Sequence, residues 1–227
     1  MVTTTTGKTR TDEEIQHDVV EELKWDARVQ PNDIAVGVKA GIVTLSGWVD
    51  SYTRKWAAED AALRVRGVHA VANDIEVRLP IDAERTDKDL AAAALYALEW
   101  DAGVPLDRVQ VAVSSGWVTL NGEVDWQYQR EDAERAVRRL TGVRGVMNLI
   151  TVKSPATAPS PADLKRRIEQ ALVRTATLDA QRITVEVDGS KIILKGTVHS
   201  WAEKKEAQRV AWSAPGVTAV ENRIAVV

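Results

Sequence analysis

Acid–base, nucleophilic and metal chemistry need thiols, histidines or carboxylates at defined spacings. The 227-residue chain has no cysteine, which excludes disulfides, thiolate metal sites and cysteine nucleophiles. Its three histidines, His17, His69 and His199, stand at non-equivalent positions without an H-x-H or H-x-x-x-H spacing, so no metal site and no cofactor are expected. A glycosidase-type acid pair needs two carboxylates roughly 5–9 Å apart in a cleft. Almost all the acids here lie on predicted polar helix faces. Asp50 and Asp125 occupy equivalent positions beside a helix start, where capping is the expected role, and His199 stands at the third such position. The G-x-S-x-G, Walker and G-x-G-x-x-G signatures are missing. These residues do not read as those of an enzyme.

Binding chemistry is better represented. Lys165, Arg166, Arg167, Lys204, Lys205 and Arg209 cluster on two predicted helices in the C-terminal third, which carries net +3 against −5 and −2 for the two preceding thirds. With Trp201 they form the expected contact surface for an anionic membrane or ligand, against the plainer reading of a solvated face. Rings and polar or basic groups also mix in Tyr52-Thr-Arg-Lys-Trp56, Trp126-Gln-Tyr-Gln-Arg130 and Trp201-Ala-Glu-Lys-Lys205, a composition that suits a membrane interface. Trp48 and Trp117 point away from Val43 and Val118, onto a sheet face with no helix of its own. Packing between repeats is the first expectation for them and contact with a protein partner the second. Trp25 and Trp100, each ending a helix, are expected to close the edge of a core.

The whole chain has net charge −3, which supplies no cationic field for nucleic acid. No apolar run approaches the roughly 18 residues of a transmembrane segment. The first residues, MVTTTTGKTRTDEE, lack an apolar stretch of the secretory kind, so the expectation is a cytoplasmic protein, with peripheral membrane contact open.

The elements that must position these residues are written three times. A shift of 75 brings Gly41, Gly47, Gly67 and Asn73 onto Gly116, Gly122, Gly142 and Asn148; a further 74 brings Gly122, Gly142 and Asn148 onto Gly196, Gly216 and Asn222. The expected units are 11–80, 86–155 and 160–227, after a disordered tail at 1–10. They are joined by 81–85 and by the proline-containing stretch 154–159, expected to be stiff and extended. Each unit opens with a helical stripe: Ile15, Val19, Leu23; Leu90, Ala94, Leu98; Leu164, Ile168, Leu172. Thr11 with Glu14, Thr86 with Asp89 and Ser160 with Asp163 are cap-like starts. The period then drops to two over Ile34–Val38 and Val43–Val49 and their copies, with hairpin residues between. An alanine-rich helix follows and is expected to end at Gly67, Gly142 or Gly216 as a left-handed C′ residue. A last strand closes the unit. Gly47, Gly122 and Gly196 are expected to make room for a helix against the sheet.

The order Val43-Thr-Leu-Ser-Gly-Trp-Val49, alanine helix, Gly67-Val-His-Ala-Val-Ala-Asn73 resembles the BON domain family. It returns as Val118-Thr-Leu-Asn-Gly-Glu-Val124 with Gly142-Val-Arg-Gly-Val-Met-Asn148, and as Ile192-Ile-Leu-Lys-Gly-Thr-Val198 with Gly216-Val-Thr-Ala-Val-Glu-Asn222. The resemblance implies an α+β chain of three tandem αββαβ domains, each a three-stranded sheet with two helices on one face. It implies no catalysis, and a stress-linked, osmotic-stress-type binding protein in peripheral contact with anionic phospholipid. A protein-binding scaffold or chaperone-like stress protein is the alternative, and a small-ligand or ion sensor a further one. The oligomeric state is not legible.

Overall fold

The computed structural model describes residues 10–153, 159–175 and 178–227. The expected tail, apart from Arg10, and the connector, apart from Pro159, lie outside the described residues.

Each unit begins as its sequence dictates. Helices α1 (Asp12–Trp25), α3 (Asp87–Trp100) and α5 (Pro161–Arg174) start where the hydroxyls of Thr11, Thr86 and Ser160 accept from the amides of Glu14, Asp89 and Asp163 at 3.2, 3.1 and 3.2 Å. Their apolar stripes are the buried residues. Two strands follow in each unit: β1 (Ile34–Lys39) and β2 (Ile42–Val49), β4 (Val109–Ser114) and β5 (Trp117–Val124), β8 (Ile183–Asp188) and β9 (Lys191–Val198). They pair antiparallel through two-residue turns. In the first turn Ala40 and Gly41 have φ of 51° and 72°, and in the second Ser115 and Gly116 have 52° and 79°, the sign a twisted hairpin needs at both places. A carboxylate at the start of the first helix holds each turn. Asp12 accepts from the amides of Ala40 and Gly41 at 2.8 and 3.0 Å, and Asp87 from Ser115 and Gly116 at 2.8 and 2.9 Å. Pro161 occupies the third such position, and there Ser190 and Thr218 join their hydroxyls at 2.8 Å.

The second helices, α2 (Tyr52–Arg64), α4 (Gln127–Arg138) and α6 (Trp201–Trp212), cross over to a last strand that runs parallel to the middle one. That strand is β3 (Ala70–Val77), β10 (Ala219–Val226), or, in the second unit, the pieces β6 (Gly145–Asn148) and β7 (Thr151–Val152). The middle strand of every sheet is the hairpin's second. Three separate apolar cores result, each built from one unit's two helices and the inward face of its sheet.

Four sequence expectations are corrected. Gly47, Gly122 and Gly196 have φ of 118°, 139° and 129°, and a Cβ there would collide with the carbonyl oxygen of Asp33, Arg108 or Arg182. They admit the end of the short 3-10 turn that enters the neighbouring strand (Pro31–Asp33, Leu106–Arg108 or Ala180–Arg182), not one of the α-helices packed on the sheet. Gly67, Gly142 and Gly216 do have positive φ, but they lie beyond the C′ position, in the turn that leads to the last strand. Asp50 and Asp125 cap nothing: their carboxylates bind Arg54 at 2.5 Å and Arg108 at 2.7 Å. Trp25 and Trp100 are 84% and 74% exposed. Each stands two residues past the last stripe residue, roughly 200° around the helix from it, and faces solvent.

The family-like asparagines have a structural role. Asn73 Nδ2 donates to the Lys55 carbonyl and Glu59 at 3.1 and 3.0 Å, while its Oδ1 accepts from the Ile75 amide at 3.3 Å. Asn148 and Asn222 repeat the arrangement on α4 and α6. The side chain staples the second helix to the last strand.

Candidate functional site

Three surfaces deserve comparison as places of binding: the first helix of the third unit, the uncovered sheet faces, and a cleft where units meet.

On α5, Lys165, Arg166 and Arg167 are exposed, because Leu164, Ile168 and Leu172 claim the opposite side for the core. Arg166 pairs with Asp163 at 2.7 Å and Lys165 with Glu169 at 3.8 Å, whereas Arg167 and Arg174 make no ion pair among the described residues. This face is cationic and solvated.

The sheet faces differ by unit. Register places Trp48 on the open side of the first sheet opposite Glu76, 38% exposed, with the Arg78 guanidinium 5.9 Å from its ring centre. Trp117 is 49% exposed and stands opposite Gly145, its ring over the position where a Cβ would be. Met147 and Leu149 are exposed on that same outer face. Neither tryptophan is buried between repeats, which corrects the first expectation for them. The third sheet's outer face is charged and paired: Lys195 to Glu186 and Lys191 to Glu221 at 2.6 Å, and Arg223 to Glu221 at 2.5 Å.

The four remaining predicted contact residues, Trp201, Lys204, Lys205 and Arg209, are brought together on α6 at a cleft of about 650 Å³ lined also by α2. The equivalent residues Trp56, Glu131 and Lys205 of the three second helices all line it. Trp56 is the hub. The Arg138 guanidinium of the second unit lies 3.9 Å from its ring centre, and Lys205 Nζ of the third lies 6.0 Å away. Burial pushes the Arg138 guanidinium below its usual range. Lys205 also reaches Asp60 of the first unit at 3.6 Å, so acidic and basic units meet within one chain. Thr53 Oγ1 donates to the Arg138 carbonyl at 3.3 Å, and Tyr52 packs onto the second unit's core, where burial raises its phenol. Tyr52 and Trp56 are thereby joints between units, withdrawn from any flat interface. The signal that marks this joint in sequence is the disagreement of the repeats: Trp, Glu and Lys stand at one equivalent position.

Among the described residues, no helix is long and apolar enough to cross a membrane, and no cluster of three or more histidines and carboxylates stands ready for a metal ion.

Comparison with known proteins fits this geometry. The BON domain family matches at residues 11–78, 86–154 and 160–227. The osmotically-inducible protein Y of Escherichia coli (strain K12) is 33% identical over 132 residues, which is 55% of this chain and 64% of that protein. The alignment thus spans a little under two thirds of the relative's length. Two structures of CdsD, a structural protein of the type III secretion system of Chlamydia trachomatis, align at 11% identity with a TM-score of 0.26. They cover 96% and 93% of this chain and 100% and 91% of theirs. A TM-score that low bears on neither fold nor function.

Proposed function

This chain belongs to the BON domain family, and from that premise we propose that it is a non-enzymatic, stress-linked binding protein that touches anionic phospholipid through its third unit. The stress link is supported by the likeness to osmotically-inducible protein Y. The observation that carries the lipid contact is the solvated α5 face, where Lys165, Arg166 and Arg167 stand exposed in the one unit of net positive charge. Each such cation adds about 1 kcal/mol near an anionic bilayer, and because the apolar stripe of α5, Leu164, Ile168 and Leu172, is buried in the core, the contact is peripheral and salt-sensitive. Trp201, Lys204, Lys205 and Arg209, which line the inter-unit cleft, are not needed for this contact.

Co-flotation with vesicles tests it. The protein is expected to rise with vesicles of anionic lipid at low salt, to release at physiological salt, and to ignore zwitterionic vesicles. Arg166→Glu with Arg167→Glu is expected to abolish the effect; unchanged flotation of that variant would remove α5 as the contact.

A second reading is a protein-binding or chaperone-like scaffold, favoured by the exposed Trp117, Met147 and Leu149 on the middle sheet. It expects the protein to suppress light scattering by a heat-denaturing client enzyme, and Trp117→Ser with Met147→Ser to lose that suppression.

A further inference from the structure

We propose that the cleft between α2 and α6 is a binding site for a small aromatic monoanion, its ring set among Trp56, Trp201 and Trp212 and its charge against Lys204. The size is suitable: about 650 Å³ lies within the range of small-molecule sites. Three tryptophan side chains line it, and an indole wall favours flat, polarisable ligands over flexible chains.

The sign of the ligand's charge follows from which groups are already engaged. Two of the lining carboxylates are ion-paired and two accept hydrogen bonds from side-chain amides. Asp60 pairs with Arg64 at 2.9 Å and with Lys205 at 3.6 Å, and Glu206 pairs with Arg209 at 2.6 Å. Glu59 accepts from Asn73 at 3.0 Å and Glu131 from Gln127 at 3.0 Å. Among the lining cations, Arg64, Lys205 and Arg209 have carboxylate partners. Lys204 has no ion pair among the described residues; its ammonium lies 4.6 Å from the Trp201 ring centre. A partly desolvated cation without a counter-ion lowers its own proton affinity, and Lys204 does so through burial. A bound carboxylate would supply the counter-ion missing at the ammonium on the Trp201 ring, whereas a cationic ligand placed there would be repelled by Lys204.

The site exists only in the assembled chain, since one wall comes from the first unit and the other from the third. It does not depend on the lipid contact of α5. Its test contains no lipid, so the two can fail separately.

The probe is 2-naphthoate, added to the full chain and followed through the indole N–H signals of a proton–nitrogen NMR spectrum. Of the eight tryptophans, Trp56, Trp201 and Trp212 are expected to shift, each assigned through its Trp→Phe variant. The cationic analogue 2-naphthylmethylammonium is expected to leave them in place. Lys204→Gln is expected to weaken naphthoate by about tenfold, with the other five signals unmoved as proof that the fold is kept. Equal response to the cation, shifts centred on Trp48 and Trp117, an unchanged affinity in Lys204→Gln, or no shift at millimolar naphthoate would each overturn the proposal.

Discussion

At the scale of the residue, backbone sign and hydrogen bonding decide more than chemistry does. Gly122 combines φ of 139° with a carbonyl oxygen where a Cβ would lie. Gly122→Ala is therefore expected to cost about 3 kcal/mol, read as a lower urea midpoint for the second unit. Gly189→Ala, at an open hairpin turn with φ of 59°, is expected to cost only about 1 kcal/mol. Acid sensitivity is also a residue-level property. Arg223, and then Lys191, hold the Glu221 carboxyl down at about 2. The amides of Gly41 and Ala40 lower Asp12, and Arg28 and Arg64 lower Asp26. A carboxylate whose folded value is lowered contributes stability that is complete above its unfolded value and lost as pH falls through the folded one. For Glu221 that window runs from about 4.5 down to about 2. The urea midpoint should fall across it, and Glu221→Gln should flatten the fall in the third unit.

At the scale of the element, the unit is fastened by a few repeated devices. The hydroxyl cap starts the first helix, and in two units the next residue clamps the hairpin through its carboxylate. The asparagine staple ties the crossover helix to the last strand in all three. It explains why the G-V-x-x-V-x-N pattern ends in asparagine: only a side chain with both donor and acceptor bridges a helix carbonyl and a strand amide. Asn73→Ala is expected to destabilise the first unit by about 2 kcal/mol, since it leaves partly buried partners unmet. Amide exchange should quicken first at Ile75, whose N–H loses its acceptor. Protection there equal to that of the parent chain would show the staple to be dispensable.

At the scale of the whole molecule, the second helices do double duty, covering their own sheets and meeting one another. Trp56 gathers Arg138 and Lys205 from the two other units. Trp56→Ala is expected to leave the first unit's core intact, because the ring lies outside it. The variant should instead loosen the arrangement of units, seen as a larger radius of gyration by small-angle scattering. An unchanged radius would mean that the units are held by other contacts.

Much of this was legible in sequence because it is local or periodic. Helical stripes, hydroxyl caps, alternating strands and the threefold repeat follow from spacing along the chain, and spacing fixes which residues share a face. The positions of Trp25 and Trp100 were legible in principle too, since helical geometry turns them away from the stripe. The role of Gly47 was not, because its collision partner, the Asp33 carbonyl, lies in the turn just before the neighbouring strand and is brought there by register. Nor was the cleft, although Trp56, Trp201, Lys204, Lys205 and Arg209 among its residues were singled out for their charge and rings. The sequence determined three self-contained αββαβ cores and put cations and tryptophans on their second helices. Only the tertiary structure decided that Trp56 and Lys205, 149 positions apart, meet at one joint. Contacts between units depend on how whole surfaces fit, and no period along the chain encodes that.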